Sequence, residues 1–430
     1  MMLDAFKTNL QALTKQKDAF VILAVSGGMD SMVMSSMFLA SPYKRLAVAH
    51  VNFGLRGADS DADEALVARW AHNAGIPFHV QKFDTRAYAK EWGYSIEMAA
   101  RALRYNWFEQ LRQQLGADFI AVAHQANDHA ETILLNLTGG TGIRGLCGIP
   151  AKRGAIIRPM LCFERPQIEE YAKKMDIIYR EDATNALCDF ARNRIRHAVL
   201  PELAKINPKV IAQFMEGSGY LREARSILEE SLEQKKASWC RSEGQALFIE
   251  LEKIQGEGHI AYWLFELMRP YGFGSGQMKQ IVDLLQAQPG YKVLSDTHIL
   301  YKDRGVLAIF PHAGEEDIPN VNIVYVDGPT YVLNKNPKIA ALDADKLQHP
   351  IILRRWKPGD SFIPFGMKGS KKISDFLTDL KLPLWEKERQ WVLCHGSDIV
   401  WVAGKRIDDR YKITAATLKV AEISLGSVFQ

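Results

Sequence analysis

The 430-residue sequence has no apolar run approaching the roughly 20 residues that a bilayer-spanning helix needs, which argues against a membrane partner. Its first twenty residues carry charges throughout, unlike a secretory leader, so a cytoplasmic location is expected. Cysteine is scarce. Cys147, Cys162, Cys188, Cys240 and Cys394 are odd in number, far apart and never spaced as Cys-x-x-Cys. That excludes a disulfide framework, a zinc ribbon and an iron–sulfur cluster. Excess charge is lacking too: the net value of +4 says little about nucleic acid until its distribution is considered. No Gly-Lys-Ser or Gly-Lys-Thr occurs, so a kinase- or GTPase-type P-loop is excluded. What is present, 47% apolar and 24% charged residues, is ordinary for a globular chain, and the length predicts about two to three domains.

The chain is organised around Val21-Ile22-Leu23-Ala24-Val25 followed by Ser26-Gly27-Gly28-Met29-Asp30-Ser31. Five consecutive apolar residues describe a strand buried on both faces. After the glycines, residues 31–39 have no breaker and open with a capping serine, which predicts strand, glycine loop, helix. Two glycines let several N–H groups converge on an anion at the positive end of that helix, so residues 26–31 form a candidate phosphate site. A carboxylate there, Asp30, makes chemical sense as a ligand of Mg²⁺ beside a polyphosphate.

Further along, strands are expected at 46–49, 78–83, 119–123 and from 156. Helices are expected at 64–74, from Ser95 to Gly116, over about 127–137 and from Pro166. This alternation predicts a parallel sheet covered on both faces, with ligands at the strands' carboxyl ends, where Ser26, His50 and His124 fall. Gly140, Gly142 and Gly145 superficially match a dinucleotide fingerprint but follow a helix, so they are assigned to a mobile loop near the crevice. Beyond Pro201 the pattern changes. Residues 218–237 form a charge-laced helix expected to act as a linker, 259–288 two helices broken at 270–276, and 298–302 with 306–310 a hairpin. A second linker is expected at 311–320, and strands at 322–326, 351–354 and 399–403. The expected domains are 1–215, 216–310 and 321–430.

Asp128 and Glu131 lie three apart at a helix start, where they share a face and could serve as a cap, hold Mg²⁺ or hold a cationic substrate. Arg101, Arg104 and Tyr105 are either a solvated helix face or a phosphate clamp. Two basic tracts could bind RNA phosphates: Arg192, Arg194 and Arg196; and Arg354, Arg355, Lys357, Lys368, Lys371 and Lys372, with Trp356 as a stacking residue.

Residues 26–31 resemble the Ser-Gly-Gly-x-Asp-Ser signature of the PP-loop ATP pyrophosphatases. Several further strings resemble one branch of that superfamily, the tRNA(Ile)-lysidine synthases. They are His50-Val51-Asn52 with Leu55-Arg56-Gly57; Glu97 through Arg101 to Arg104-Tyr105; His124 with Asp128, Glu131 and Thr132; residues 140–146; and Arg158-Pro159. To these are added Glu181-Asp182 with Thr184-Asn185, Arg192-Asn193-Arg194-Ile195-Arg196, Lys357-Pro358-Gly359-Asp360 and Lys371-Lys372-Ile373-Ser374-Asp375-Phe376-Leu377. The resemblance covers nearly the whole chain and is weakest over about 216–320. Two departures stand out: Phe53 stands where the family often has histidine, and Asn127 where it often has aspartate.

The resemblance implies an α/β parallel-sheet PP-loop domain (adenine nucleotide alpha hydrolase-like), a mostly helical middle domain and a small α+β C-terminal domain. It implies ATP as substrate, Mg²⁺, L-lysine, and an isoleucine tRNA with a CAU anticodon, whose wobble cytidine is adenylated and then displaced by the lysine amine. On this basis the catalytic residues are Asp30, Arg101, Asp128 and Glu131, with Asp30 on the metal. The nucleotide contacts are Ser26, Gly27, Gly28, Met29, Asp30, Ser31 and His50. The tRNA contacts are Arg192, Arg194, Arg196, Arg354, Arg355, Lys371 and Lys372. A homodimer stays open. The competing assignments are another PP-loop tRNA-modifying or adenylating enzyme, and a non-catalytic ATP-sensing RNA-binding protein.

Overall fold

The computed structural model describes residues 2–16, 18–180, 190–312, 318–334, 336 and 338–426. Glu181-Asp182, Thr184-Asn185, Cys188 and part of the expected linker at 311–320 lie outside the described residues. The chain divides into two compact units, residues 1–228 and 229–430.

In the first unit, five strands are parallel: β1 (Val21–Ala24), β2 (Leu46–Asn52), β3 (Phe78–Lys82), β4 (Phe119–Ala121) and β6 (Ile156–Ile157). The short β5 (Lys152–Arg153) pairs antiparallel with β6, and the order across the sheet is β3-β2-β1-β4-β6-β5. The helices are α1 (Met2–Thr14), α2 (Met29–Leu39), α3 (Ala58–Ala74), α4 (Thr85–Trp92), α5 (Ile96–Leu115), α6 (Ala126–Thr138), α7 (Ile143–Leu146) and α8 (Arg165–Lys174). Strand alternation explains why β1 is apolar throughout. Val21 and Leu23 join Phe6, Met32, Met37 and Phe38 on one face of the sheet, while Ile22 joins Phe108, Leu111 and Ile120 on the other. The chain leaves β1 toward β2 and later returns to its other side with β4, so the loop after β1 sits at the topological switch point.

The long helix α5 follows its signals: the Ser95 hydroxyl accepts from Met98 N–H at 3.2 Å, and Gly116 closes it at φ 63°. Helix α2 starts two residues earlier than expected. Ser31 does not cap from outside, because its hydroxyl donates to the Gly28 carbonyl at 2.9 Å; Gly28 occupies the N-cap and Asp30 the first helical turn.

Residues 190–206 comprise α9 (Phe190–Arg194), a π-helical turn (Ile195–Val199) and α10 (Leu200–Ile206); α11 follows (Val210–Trp239). The start of α11, ahead of the stretch expected as a linker, packs Val210, Ile211, Phe214 and Met215 against Ala126 and Ala130 of α6. Nor is the glycine segment free: Asn136 holds the Gly145 carbonyl at 3.0 Å, and residues 143–146 are helical.

The second unit contains a five-stranded antiparallel sheet in the order β7-β8-β11-β10-β9 (Cys240–Glu243, Ala246–Glu250, Val306–Pro311, His298–Asp303, Lys292–Leu294). It accompanies helices α12 to α14 (Leu251–Ile254, Ile260–Met268, Met278–Asp283). The expected hairpin is present, with Asp303 paired to Val306, and the middle of the chain is therefore mixed. The remainder is small sheets: one of Val321–Asp327, Lys419–Leu425 and Ile339–Asp343 in that order, one of Ile351–Arg355, Trp391–His395, Asp398–Val402 and Arg406–Ile407, and a ribbon of Ser361–Phe362 with Lys371–Lys372, together with two short helices (Ile373–Asp379 and Leu384–Glu388). Among the described residues, no helix is long and apolar enough to cross a membrane.

Candidate functional site

The glycine loop after β1 is built by its own serines. Ser26 and Ser31 hydroxyls lie 3.1 Å apart, and Ser31 Oγ also accepts from Ser26 N–H at 3.2 Å. Gly27 adopts φ +91°, which a side chain would strain, and its carbonyl accepts from Arg180 N–H at 3.1 Å. Arg180 and Arg56 both grip the buried Asp63, at 2.7 and 2.8 Å, bracing the loop from behind. The first turn of α2 then offers N–H groups with no intrahelical partner, the arrangement that anions favour.

Beside this loop, the expected residues converge. His50, near the end of β2, is buried with Nδ1 2.8 Å from the Val25 carbonyl, which makes Nε2 an acceptor; burial lowers its pKa. A cavity of about 220 Å³ bounded by Ser26, Asp30, Phe53, Phe108, Val122 and His124 adjoins the loop. A wider one of about 740 Å³, reaching Arg56 and Arg104, shares Ser26 and Phe53 with it. Phe53, one of the two departures, is thus an apolar wall between them.

One flank of the crevice is cationic. Arg158, buried, donates from Nε to His124 Nδ1 at 3.0 Å, leaving the ring proton on Nε2. Burial, then the nearby guanidiniums of Arg158, Arg104 and Arg101, push His124 down to about 3, so it stays a neutral donor. Arg104 stacks on Tyr105 at 5.0 Å, and burial lowers its pKa. Arg101 is exposed at the edge, 5.1 Å over the same ring.

The other flank is anionic. Asp30 accepts from Gln125 Nε2 at 3.2 Å and lies 3.9 Å from Arg165; burial raises its pKa. Its Oδ1 is buried with no hydrogen-bond partner, as is Gln125 Oε1. Asp128 closes a capping box by accepting from Gln125 N–H at 3.0 Å, and burial, reinforced by Glu131 and Asp30, raises it to about 6. Among the described residues, no three His, Cys, Asp or Glu side chains converge as a preformed metal cage. An orphaned, desolvated Asp30 oxygen suits a Mg²⁺ ion that takes one protein carboxylate and fills its other positions with phosphate oxygens and water.

Glu131 corrects one expectation and relocates two others. It is 1% exposed and fully engaged, by Arg196 at 2.6 and 2.9 Å and by Arg192 at 3.1 Å, so it is not an open ligand for metal or amine. Arg192 and Arg196, four apart along the helix, turn inward together; Arg196 also reaches Asp128 at 3.4 Å, and Arg192 the Thr132 hydroxyl at 2.9 Å. They therefore reach into the crevice, whereas Arg194 of the same expected tract is exposed. Asn127, the second departure, accepts from Arg165 N–H at 3.0 Å and so ties α6 to the start of α8.

Sequence reasoning missed Gln125, Arg165 and His129. His129 is fully buried. It accepts from Ile149 N–H at 3.1 Å and donates to Ser218 Oγ at 2.8 Å; burial, then Arg222, push it down to about 4. A Cβ on Gly148 would lie 2.5 Å from its ring, which is why a glycine stands there. No local spacing announces these contacts.

In the second unit, Arg354 forms a bidentate pair with Asp360 at 2.7 and 3.0 Å. Arg355 lies 3.9 Å over Trp391 and donates to the Arg389 carbonyl. Trp356 donates to the Lys387 carbonyl and packs on a core cluster, so it is not a free stacking platform. Lys371 pairs with Asp379, whereas Lys372 is exposed.

The chain matches three family models: the PP-loop domain over residues 2–203, the TilS substrate binding domain over 242–312 and the TilS substrate C-terminal domain over 351–422. It is 40% identical over 407 residues to a tRNA(Ile)-lysidine synthase of Bacteroides thetaiotaomicron, covering 94% of each chain. It is also 40% identical to one of Parabacteroides distasonis, covering 94% of this chain and 95% of that one, and 34% identical to one of Porphyromonas gingivalis, covering 93% of each.

Proposed function

The chain belongs to the tRNA(Ile)-lysidine synthase family, and from this premise we propose that it joins lysine to C2 of the wobble cytidine of an isoleucine tRNA bearing CAU, converting ATP to AMP and pyrophosphate. The observation that carries the reading is one crevice at the sheet's switch point, with an anion-binding loop, a cationic flank of Arg104, Arg158 and neutral His124, and a desolvated carboxylate flank of Asp30 and Asp128. Lysine, ATP and tRNA meet in a cytoplasmic reaction. An amine nucleophile also needs no cysteine pair, and none is present.

In the first step, the cytidine O2 attacks the α-phosphorus of ATP and pyrophosphate leaves. The loop N–H groups and the cationic flank hold the phosphates in line. Mg²⁺ on Asp30 would neutralise charge on the departing pyrophosphate. In the second step, the amine attacks C2, the C2–O bond to AMP breaks, and the amine proton is taken up. Free lysine has a pKa of about 10.4 and arrives as a cation. Asp128, charged at neutral pH, holds that cation and is the candidate base. A cavity of about 490 Å³ beyond Glu131 has apolar walls from Leu200, Pro201, Ala204 and Ile211, which suit the aliphatic stem.

The test is incorporation of labelled lysine into the CAU isoleucine tRNA transcript with ATP and Mg²⁺, using the methionine tRNA, which shares the anticodon, as control. Label in the isoleucine transcript alone is expected. Absence of label with continued AMP and pyrophosphate release onto another acceptor would keep ATP pyrophosphatase chemistry and remove lysidine. Asp30→Ala is expected to abolish AMP formation while RNA binding persists.

A further inference from the structure

The corner between α4 and α5 exposes more apolar and aromatic surface than a solvated helical turn needs. Trp92 is 58% exposed, Met98 57%, Ile96 41% and Tyr94 40%. Beneath them, Tyr88 is half-buried, its ring centroid 6.0 Å from that of Trp92 and 6.3 Å from that of Tyr94, so three aromatic rings form one preset cluster. The corner is anchored rather than loose: Asp84 caps α4 through Ala87 N–H, Gly93 closes it at φ 65°, and Ser95 caps α5. Single exposed apolar residues are ordinary, but four within seven positions mark an interaction surface.

Its place in the fold says with what. Of the patch, Ile96 lines the same cavity as Ser26, His50 and Arg104, together with Arg86 from the first turn of α4, so the patch begins at the edge of that crevice and runs outward through Tyr94 and Trp92. The exposed charges around it are Arg86, Lys90 and Arg101 and, of the other sign, Asp84, Glu91 and Glu97. A cytidine that reacts at O2 deep in that crevice must leave its loop stack, and the bases beside it then lose a neighbour. Aromatic side chains at the mouth of the crevice restore that stack whatever the base, and adjacent arginines meet the intervening phosphates.

We infer that Trp92 and Tyr94, supported by Tyr88, form a stacking platform for an unpaired anticodon-loop nucleobase next to the reacting cytidine, with Arg86 on the adjoining phosphate; this rests on the proposed function. The platform binds the RNA and takes no part in ATP chemistry.

The experiment uses the full chain with a fluorescently labelled CAU anticodon stem-loop. Anisotropy gives RNA binding, and the ATP-induced shift in melting temperature gives nucleotide binding. Trp92→Ala with Tyr94→Ala is expected to weaken stem-loop binding about tenfold or more, as loss of one stacked base does. The ATP shift is expected to stay unchanged, and Trp92→Phe to retain most of the binding. Arg86→Gln is expected to flatten the salt dependence by about 0.7, as loss of one phosphate contact does on a single strand. Unchanged RNA binding in the double variant overturns the platform. So does joint loss of RNA and ATP binding, which would mark a folding role, or a change of oligomeric state with RNA binding intact, which would mark a protein interface. Because the binding arm needs no turnover, failure of the wild-type chain to incorporate lysine would strike the proposed reaction and leave the platform separately testable.

Discussion

Two basic segments look alike in the sequence and end in opposite circumstances. Arg192 and Arg196 fold inward onto Glu131, where two guanidiniums share one buried carboxylate beside Asp128. Arg354 and Arg355 are absorbed by Asp360 and Trp391 on a small sheet, leaving Lys357, Lys368 and Lys372 for solvent. The lesson is that a run of positive charge does not say whether its partner is RNA or the protein itself. Arginine, with its planar fork, is readily taken up by carboxylates and rings, whereas lysine more readily stays at the surface.

The sharpest way to break the comparison is Glu131→Gln. The amide keeps the shape but leaves two guanidiniums without their charge partner, so a loss of about 3 kcal/mol in urea unfolding of the first unit is expected. A fall of at least about a hundredfold in lysine incorporation should accompany it, since Arg196 is then no longer held beside Asp128. A variant as stable and active as the parent would show that Glu131 holds neither arginine in place.

Asp128 sharpens the same side. With its carboxyl raised to about 6, the folded chain binds this proton more tightly than the unfolded chain does. The stabilisation from the protonated form is present below about pH 4 and is lost as pH rises toward 6, so the ionised form, in which we propose Asp128 acts, costs stability at neutral pH. The rate with lysine is therefore expected to fall as pH drops through about 6. Asp128→Asn should lose about a hundredfold or more in rate, flatten that limb, and melt no lower at pH 8. A variant whose limb persists would move the titration to another group.

The smallest effect is expected from the second segment. Lys371→Ala with Lys372→Ala should change stability by about 0.5 kcal/mol or less and reduce the salt slope of tRNA binding by about 1 to 2. An unchanged slope would remove Lys371 and Lys372 from the RNA surface.

Much of the first unit was legible because its signals are local. The apolar strand, the glycine loop, the Ser95 and Gly116 caps and the strand–helix alternation each reside in a few neighbouring residues, and they suffice to bring Ser26, His50 and His124 to one edge. The spacing of Asp128 and Glu131 correctly placed both at the start of one helix. It could not divide their roles, because only the distant Arg192 and Arg196 decide which carboxylate is consumed.

By itself, the sequence determined the α/β class, the family and the position of the glycine loop between strand and helix, since short-range geometry and residue type suffice for these. Tertiary structure alone decided that Gln125 and Asp30 keep orphaned oxygens, that Asp128 is desolvated while Glu131 is paired, and that the tip of α4 and α5 borders the crevice. Burial and charge pairing depend on what the rest of the chain packs against a side chain, and no spacing along the sequence records that.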